Sequence, residues 1–424
     1  MSMKLTALAA LSVAAFVAAS GAPAGVVSGQ YIVVAKPGAD AAALARNHAN
    51  ANGAVVSHVY THALRGYAAT LSAAGLAAVR ADPRVAYVAP DQNVAADAPA
   101  PGAQVLPTGI DRIDGELSST RAGDGTGAVN INVAVLDTGI DVRHPDLNVV
   151  GGVSCINSAS FDDGNGHGTH VAGTIAGKDD GIGVVGVAPG ARLWAVQVLN
   201  SAGSGTFSSV ICGIDWVTAH ATALGIEVAN MSLSGGGSDD GNCGATNGDP
   251  FHAAICNSVA AGVTYAVAAG NGATNEATRV PAAYDEVLTV TAVADFDGKP
   301  GGLGSPTCRS DEDDSNANFS NWAVSREDQE HTIAGPGVCI LSTWKNGGYN
   351  TISGTSMATP HVAGTAALCI AAGSCGNSPA QVMRRLRNDA SSYTNRNPGY
   401  GFQGDPLRPI EGKFFGYLTR AGLY

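Results

Sequence analysis

Asn130-Ile-Asn-Val-Ala-Val-Leu136 is a short run of β-branched and apolar residues, and its length and composition predict a buried strand. Arg192–Leu199, Glu227–Leu233, Gly262–Ala268 and Glu286–Val293 have the same character, and helical patterns fall between them at Thr169–Ala176, Phe207–Leu224 and Asp249–Ala261. Strands alternating with helices predict an α/β fold, a mostly parallel sheet with helices on both faces. Function in such sheets collects at the carboxyl ends of the strands. The place where strand 130–136 runs out is therefore the first to search.

Upstream, residues 29–94 carry no cysteine and read as a separate small unit. Tyr31–Ala35 is a strand and Asp40–Asn50 a helix; strands follow near 54–60 and 66–71, then a helix at Ser72–Ala81 and a strand at Val85–Ala89. That β-α-β-β-α-β order predicts a small α+β, ferredoxin-like sandwich. Residues 95–102, Ala-Ala-Asp-Ala-Pro-Ala-Pro-Gly, have no periodicity and read as a linker open to cutting. Residues 1–22 hold Lys4, an apolar run from Leu5 to Ala19 and a small-residue exit. This is the pattern of a secretory signal, too short for a membrane span of ~20 residues. A secreted, extracellular protein without a membrane span in its mature form is expected.

Composition agrees with a globular chain. Of 424 residues, 45 % are hydrophobic and 14 % charged, below the ~25 % charge of an average domain, which excludes disorder. The 56 glycines point to many tight loops. A net charge of −12 without a basic cluster argues against a nucleic-acid groove. All eight cysteines lie beyond residue 150 and no C-x-x-C pair offers a zinc cage. Disulfides are expected; Cys369 and Cys375 are near enough to bridge a helix end, some cysteines could stay free, and the remaining pairings are open.

Three segments carry chemistry. Val135-Leu-Asp-Thr-Gly-Ile-Asp141 places Asp137 at the strand end, where a lone Asp would otherwise read as a cap or turn. Asp163-Gly-Asn-Gly-His-Gly-Thr-His-Val-Ala-Gly173 places His167 where a loop enters a helix. Gly354-Thr-Ser-Met-Ala-Thr-Pro-His-Val-Ala-Gly364 does the same for Ser356, whose own N–H would point toward a developing anion. Together they supply orienter, base and nucleophile, the roles acyl transfer needs.

In these motifs and their order the chain resembles the subtilases of the secreted subtilisin and proteinase K type. The likeness runs from about Ala103 to the early 400s, and less strongly through 29–94. It implies Asp137 as orienter, His167 as general base and acid, and Ser356 as nucleophile. Val267-Ala-Ala-Gly-Asn-Gly272 resembles the family's oxyanion-hole segment and implies Asn271, a residue that alone would read as a turn. His170, His361 and His144 could suggest metal ligands, but H-E-x-x-H is absent, and the resemblance implies that the first two are structural.

The resemblance also implies substrate segments at Gly203, Ser204 and Gly205 and at Ser232, Leu233 and Ser234, gripping an extended polypeptide by strand addition. Ser234 departs from the family's usual glycine. Arg279 could reach the primary pocket and favour acidic side chains, or remain a solvated loop residue. A structural Ca²⁺ is implied at Gln104, Asp146 and Asp180, with the carbonyls of Lys178, Ile182 and Val184; the Asp311–Asp314 run reads as a solvated loop. The 29–94 unit resembles the family's propeptide, which inhibits its own enzyme, with cutting expected between about 94 and 105. The expected organisation is signal 1–22, propeptide 29–94, processing linker 95–102 and peptidase domain 103–424. A monomeric, self-processed serine endopeptidase is expected. A catalytically silent binding protein of the same fold and a metallohydrolase are the rivals.

Overall fold

The computed structural model describes residues 26–61, 64–92, 103–156, 158–376 and 378–424. The expected signal and linker lie outside these residues. The chain forms two compact units, one up to Asp97 and one from Ala98 onward.

The first unit contains β1 (Val26–Ala35), α1 (Ala41–Asn52), β2 (Val55–Tyr60), β3 (Gly66–Thr70), α2 (Ala73–Ala81) and β4 (Val85–Gln92). The sheet order is β2-β3-β1-β4, antiparallel throughout, which is the ferredoxin-like arrangement expected. Asp40 caps α1 by accepting from the Ala42 and Ala43 N–H groups, and Ser72 caps α2 through Gly75. Val33, Leu44, Tyr67 and Val79 are buried between sheet and helices.

In the second unit β5 (Asn132–Asp137), β6 (Val149–Ser154), β7 (Arg192–Gln197) and β8 (Ile226–Met231) are followed by a two-residue β9 (Gly235–Gly236) and β10 (Thr264–Ala268). Then come β11 (Arg279–Val280), β12 (Leu288–Ala294), β13 (Ser315–Asn316), β14 (Thr332–Pro336), β15 (Ile340–Trp344) and β16 (Gly348–Ile352). The helices are α3 (Thr108–Arg112), α4 (His167–Ala176), α5 (Phe207–Leu224), α6 (Pro250–Ala260), α7 (Arg326–Gln329), α8 (Thr355–Ala371) and α9 (Pro379–Arg396). The main sheet runs β13-β12-β10-β8-β5-β7-β6 with β14 beside β12, and only β13 pairs antiparallel.

Side chains of β5 alternate between two cores, as a strand's period of two requires. Val133 and Val135 pack with α4 and α8 residues such as Val171, Ile175 and Val362. Ala134 and Leu136 pack with α5 and α6 residues such as Ile214, Val217, Phe251 and Ile255. A strand buried on both faces must read as a continuous apolar run, which is why β5 was legible.

The eight cysteines form four disulfides, Cys155–Cys212, Cys243–Cys256, Cys308–Cys339 and Cys369–Cys375, and none is free. The acidic run corrects one expectation. Asp311 and Asp314 are buried; Asp314 pairs with buried Arg112 at 2.7 Å and accepts from Gly301 and Gly302, while Asp313 accepts from Phe296 and Gly304. These carboxylates hold a glycine-rich loop in place. No helix among the described residues is long and apolar enough to cross a membrane.

Candidate active site

β5 delivers Asp137 to the carboxyl edge of the sheet, fully buried. Its Oδ1 accepts from the Thr138 N–H at 2.7 Å and from His167 Nδ1 at 2.8 Å. α4 starts at His167, after Gly166 in the left-handed region at φ 114. Strand end and helix start approach so closely that a Cβ on Gly168 would lie 2.1 Å from the Gly139 carbonyl oxygen. Burial disfavours the imidazolium of His167, but the charge and hydrogen bond of Asp137, with Asp163 beyond it, outweigh this and hold its pKa above the usual 6.5.

The loop before α4 is organised by Asp163, whose position in the motif carried no role in the sequence. Its Oδ1 accepts from Thr138 Oγ1, Asn165 N and Gly166 N, and its Oδ2 from Thr169 N and Oγ1.

Ser356 sits in the first turn of α8, behind its cap Gly354. Pro360, one turn on, has no N–H to give the Ser356 carbonyl. Ser232 Oγ supplies the missing donor at 2.8 Å, while Ser356 Oγ donates to the Ser232 carbonyl at 3.3 Å. This reciprocal pair ties the nucleophile candidate to a segment that lines the same cleft as His167. No hydrogen bond joins Ser356 Oγ to His167 among the described residues; in a resting site such bonds are often loose and tighten with substrate.

Asn271 follows β10. Its Oδ1 accepts from Thr355 N at 2.9 Å and Thr355 Oγ1 at 2.8 Å, which fixes the amide and leaves Nδ2 free to donate. A Cβ on Gly354 would lie 3.5 Å from Asn271 Nδ2 and 3.6 Å from Ser356 N. Two donors thus bracket the hollow that glycine leaves. Asn321 steadies the loop, accepting from Gly272 and Thr274 and donating to the Ala269 carbonyl. Thr355 lies inside a quoted motif and could have been found there; Asn321 carries no signal in the sequence.

A cleft of about 430 Å³ runs from His167 between Gly203–Gly205 and Ser232–Ser234, so all six expected substrate residues line it. Leu199, Phe207, Val210, Leu233 and Phe251 supply its apolar lining.

Three other histidines, His144, His170 and His361, are turned inward. His170 Nε2 donates to the Ile340 carbonyl at 2.9 Å, and burial pushes its pKa down to about 3. His361 Nδ1 donates to the Met357 carbonyl at 2.8 Å, and burial takes it to about 4. His144 bonds to the Gly348 carbonyl and accepts from Asp146 N.

The residues expected to hold calcium lie together. Gln104 Nε2 donates to the Lys178 carbonyl at 2.7 Å and Oε1 accepts from Gly181 N. Asp146 Oδ2 accepts from Val184 N, while buried Oδ1 has no partner. Burial raises the Asp146 pKa to about 7. Exposed Asp180 accepts from Ile182 N. An orphaned carboxylate oxygen beside a loop of carbonyls fits a hard cation.

Comparison with known proteins identifies the family. The subtilase family matches residues 129–402, and the peptidase inhibitor I9 family matches residues 30–97. Subtilisin DY of Bacillus licheniformis is 38 % identical over 304 residues, covering 71 % of this chain and 95 % of its own. Subtilisin E of Bacillus subtilis (strain 168) is 37 % identical over 333 residues, 77 % of this chain and 76 % of its own. The crystal structure of a cold adapted subtilisin-like serine proteinase superposes with a TM-score of 0.52 at 33 % identity, over 69 % of this chain and 88 % of that one. With a family match over more than half its length and relatives of this similarity, the chain belongs to the subtilases and is a subtilisin-type serine endopeptidase, a hydrolase, preceded by an inhibitor-type domain.

Proposed function

We propose that the chain hydrolyses peptide bonds through Asp137, His167 and Ser356, with Asn271 as oxyanion donor. Ser356 Oγ attacks the substrate carbonyl carbon as His167 takes its proton. Asn271 Nδ2 and Ser356 N hold the oxyanion in the hollow beside Gly354. Collapse breaks the C–N bond, His167 returns the proton to the leaving amine, and water then cleaves the acyl-enzyme by the same relay. Asp137 keeps His167 in the tautomer whose Nε2 accepts the proton. Gly203, Ser204 and Gly205 on one wall and Ser232, Leu233 and Ser234 on the other bind the extended polypeptide by main-chain pairing. The observation that carries this reading is the hollow flanked by two N–H donors at 3.5 and 3.6 Å, next to the serine tied to the His167 cleft.

The domain plan follows: signal 1–22, inhibitory propeptide 29–94, processing linker 95–102 and peptidase 103–424, acting outside the cell as a monomer. Gln104, Asp146, Asp180 and the carbonyls of Lys178, Ile182 and Val184 would hold Ca²⁺, which supplies no step of the reaction and only braces the fold.

The test is one assay run three ways. The full chain should cut a peptide mixture, be stopped by a serine-directed sulfonyl fluoride that adds covalently at Ser356, and tolerate a brief chelator treatment. The Ser356→Ala variant should neither cut nor mature. Normal processing of that variant would refute self-processing, and inhibition by chelator with indifference to the sulfonyl fluoride would refute the serine assignment.

A further inference from the structure

Arg279 is a cation to which the chemistry above gives no task. Its backbone forms β11 and pairs with β9, Arg279 opposite Gly236 and Val280 opposite Gly235. It is thus bonded to the chain that continues directly from Ser232–Ser234. Its side chain crosses to the loop that carries Asn271: a Cβ on Gly270 would lie 3.8 Å from Arg279 Cγ, and one on Gly272 4.0 Å from Nη2. The residue therefore runs from one wall to the other, its backbone on the chain after Ser234 and its Nη2 beside the Asn271 loop. It is half-buried, and among the described residues no carboxylate lies within ion-pair distance and no hydrogen bond holds its fork. Glu276, three residues away, is buried and accepts from Thr332 Oγ1 at 2.8 Å instead. An unpaired arginine beside the site is unexpected in a chain of net charge −12.

We propose that Arg279 selects an acidic side chain on the residue whose carbonyl is attacked, so that this enzyme cuts after Glu or Asp; this rests on the Ser356 reading given above. That side chain branches one atom from the attacked carbonyl carbon, whose oxygen would sit beside Asn271, and Gly270 and Gly272 flank Asn271. The two glycines leave the approach to the guanidinium clear. A carboxylate entering there accepts two parallel N–H···O bonds. A neutral side chain leaves the fork unpaired and a basic one is repelled. The chain carries a sequence of the required kind. Within 94–105, where cutting is expected, Asp97 is the single acidic residue, and the inhibitor match ends at that residue.

Matched peptides differing only in Glu or Gln before the cut bond, given to the full-length enzyme, decide the matter. The wild-type enzyme should favour Glu by about tenfold in kcat/KM, and the preference should shrink in high salt. Arg279→Gln should level the two, and Arg279→Glu should turn the preference toward Lys. The mature chain should begin at Ala98; a mature terminus generated after a neutral residue would count against the proposal. Equal cutting of both peptides by the wild type overturns it and leaves the serine hydrolase intact. Absence of Ser356-dependent cutting of any peptide removes the reading beneath it and the proposal together. Should the variants fail to fold, the wild-type ratio and its salt dependence still separate these outcomes.

Discussion

His167 has one ring nitrogen committed to Asp137 at 2.8 Å, so its second nitrogen is the one left for proton transfer. The imidazole must be neutral to accept the Ser356 proton, and the carboxylate holds its pKa above 6.5. The sign follows directly: activity is low where the imidazolium dominates and rises as pH climbs through that raised value. A profile of kcat/KM against pH should show one ascending limb with its midpoint above 6.5. Asp137→Asn should move the midpoint down, because the compensating charge is gone. It should also cost about 10⁴ in kcat, since the amide favours the wrong tautomer. An unchanged midpoint in that variant would mean that another group titrates.

At the scale of elements, catalysis depends on how α8 begins. Gly354 has φ 162 and ψ 162, extended backbone that alanine also adopts, and its Cβ would find neighbours no nearer than 3.5 Å. Gly354→Ala should therefore fold with nearly unchanged Tm. The new methyl group would occupy the hollow meant for the oxyanion, and losing that stabilisation typically costs about 10²–10³ in kcat. Full activity with a normal melting curve would place the oxyanion elsewhere. The same element shows what a sequence can disclose. Ser356 stood out because the residues around it form one contiguous motif. Thr355 lies in that motif, but its role, like that of Asn321, was not legible, since they act through hydrogen bonds to partners 84 and about 50 residues away. Strands divided similarly. β5 and β12 are rich in apolar and β-branched residues, whereas β6 reads Val-Val-Gly-Gly-Val-Ser and β14 Thr-Ile-Ala-Gly-Pro. Glycine weakens the strand signal, and at Gly151 it is there because a Cβ would lie 2.6 Å from the Trp194 ring. The Asp311–Asp314 run misled for a related reason: its buried partner Arg112 is 202 residues away from Asp314.

For the whole molecule, the question is what fastens the start of the second unit. Ala103 and Val105 form bridges to Ile182 and Val184, and Gln104 bonds to the Lys178 carbonyl. The loop after α4 is thereby tied to the first described residues of the unit and to Asp146. Asp146 Oδ1 is buried without a partner, and in this setting its ionised form is disfavoured. A divalent cation would pair that oxygen and join three stretches distant in sequence. An ion held at 100 times its Kd adds about 2.7 kcal/mol to a fold it binds and the unfolded chain does not. For a unit of this size that amounts to roughly 5 °C in Tm. Measured on the Ser356→Ala chain, so that self-digestion cannot intervene, Tm should fall by about that much in chelator and return with Ca²⁺. Asp146→Ala should melt at one temperature with or without the ion. A curve that ignores both chelator and Ca²⁺ would leave Asp146 an internal acid with no metal to answer it, and the bridges at Ile182 and Val184 with the Gln104–Lys178 bond as the fastening.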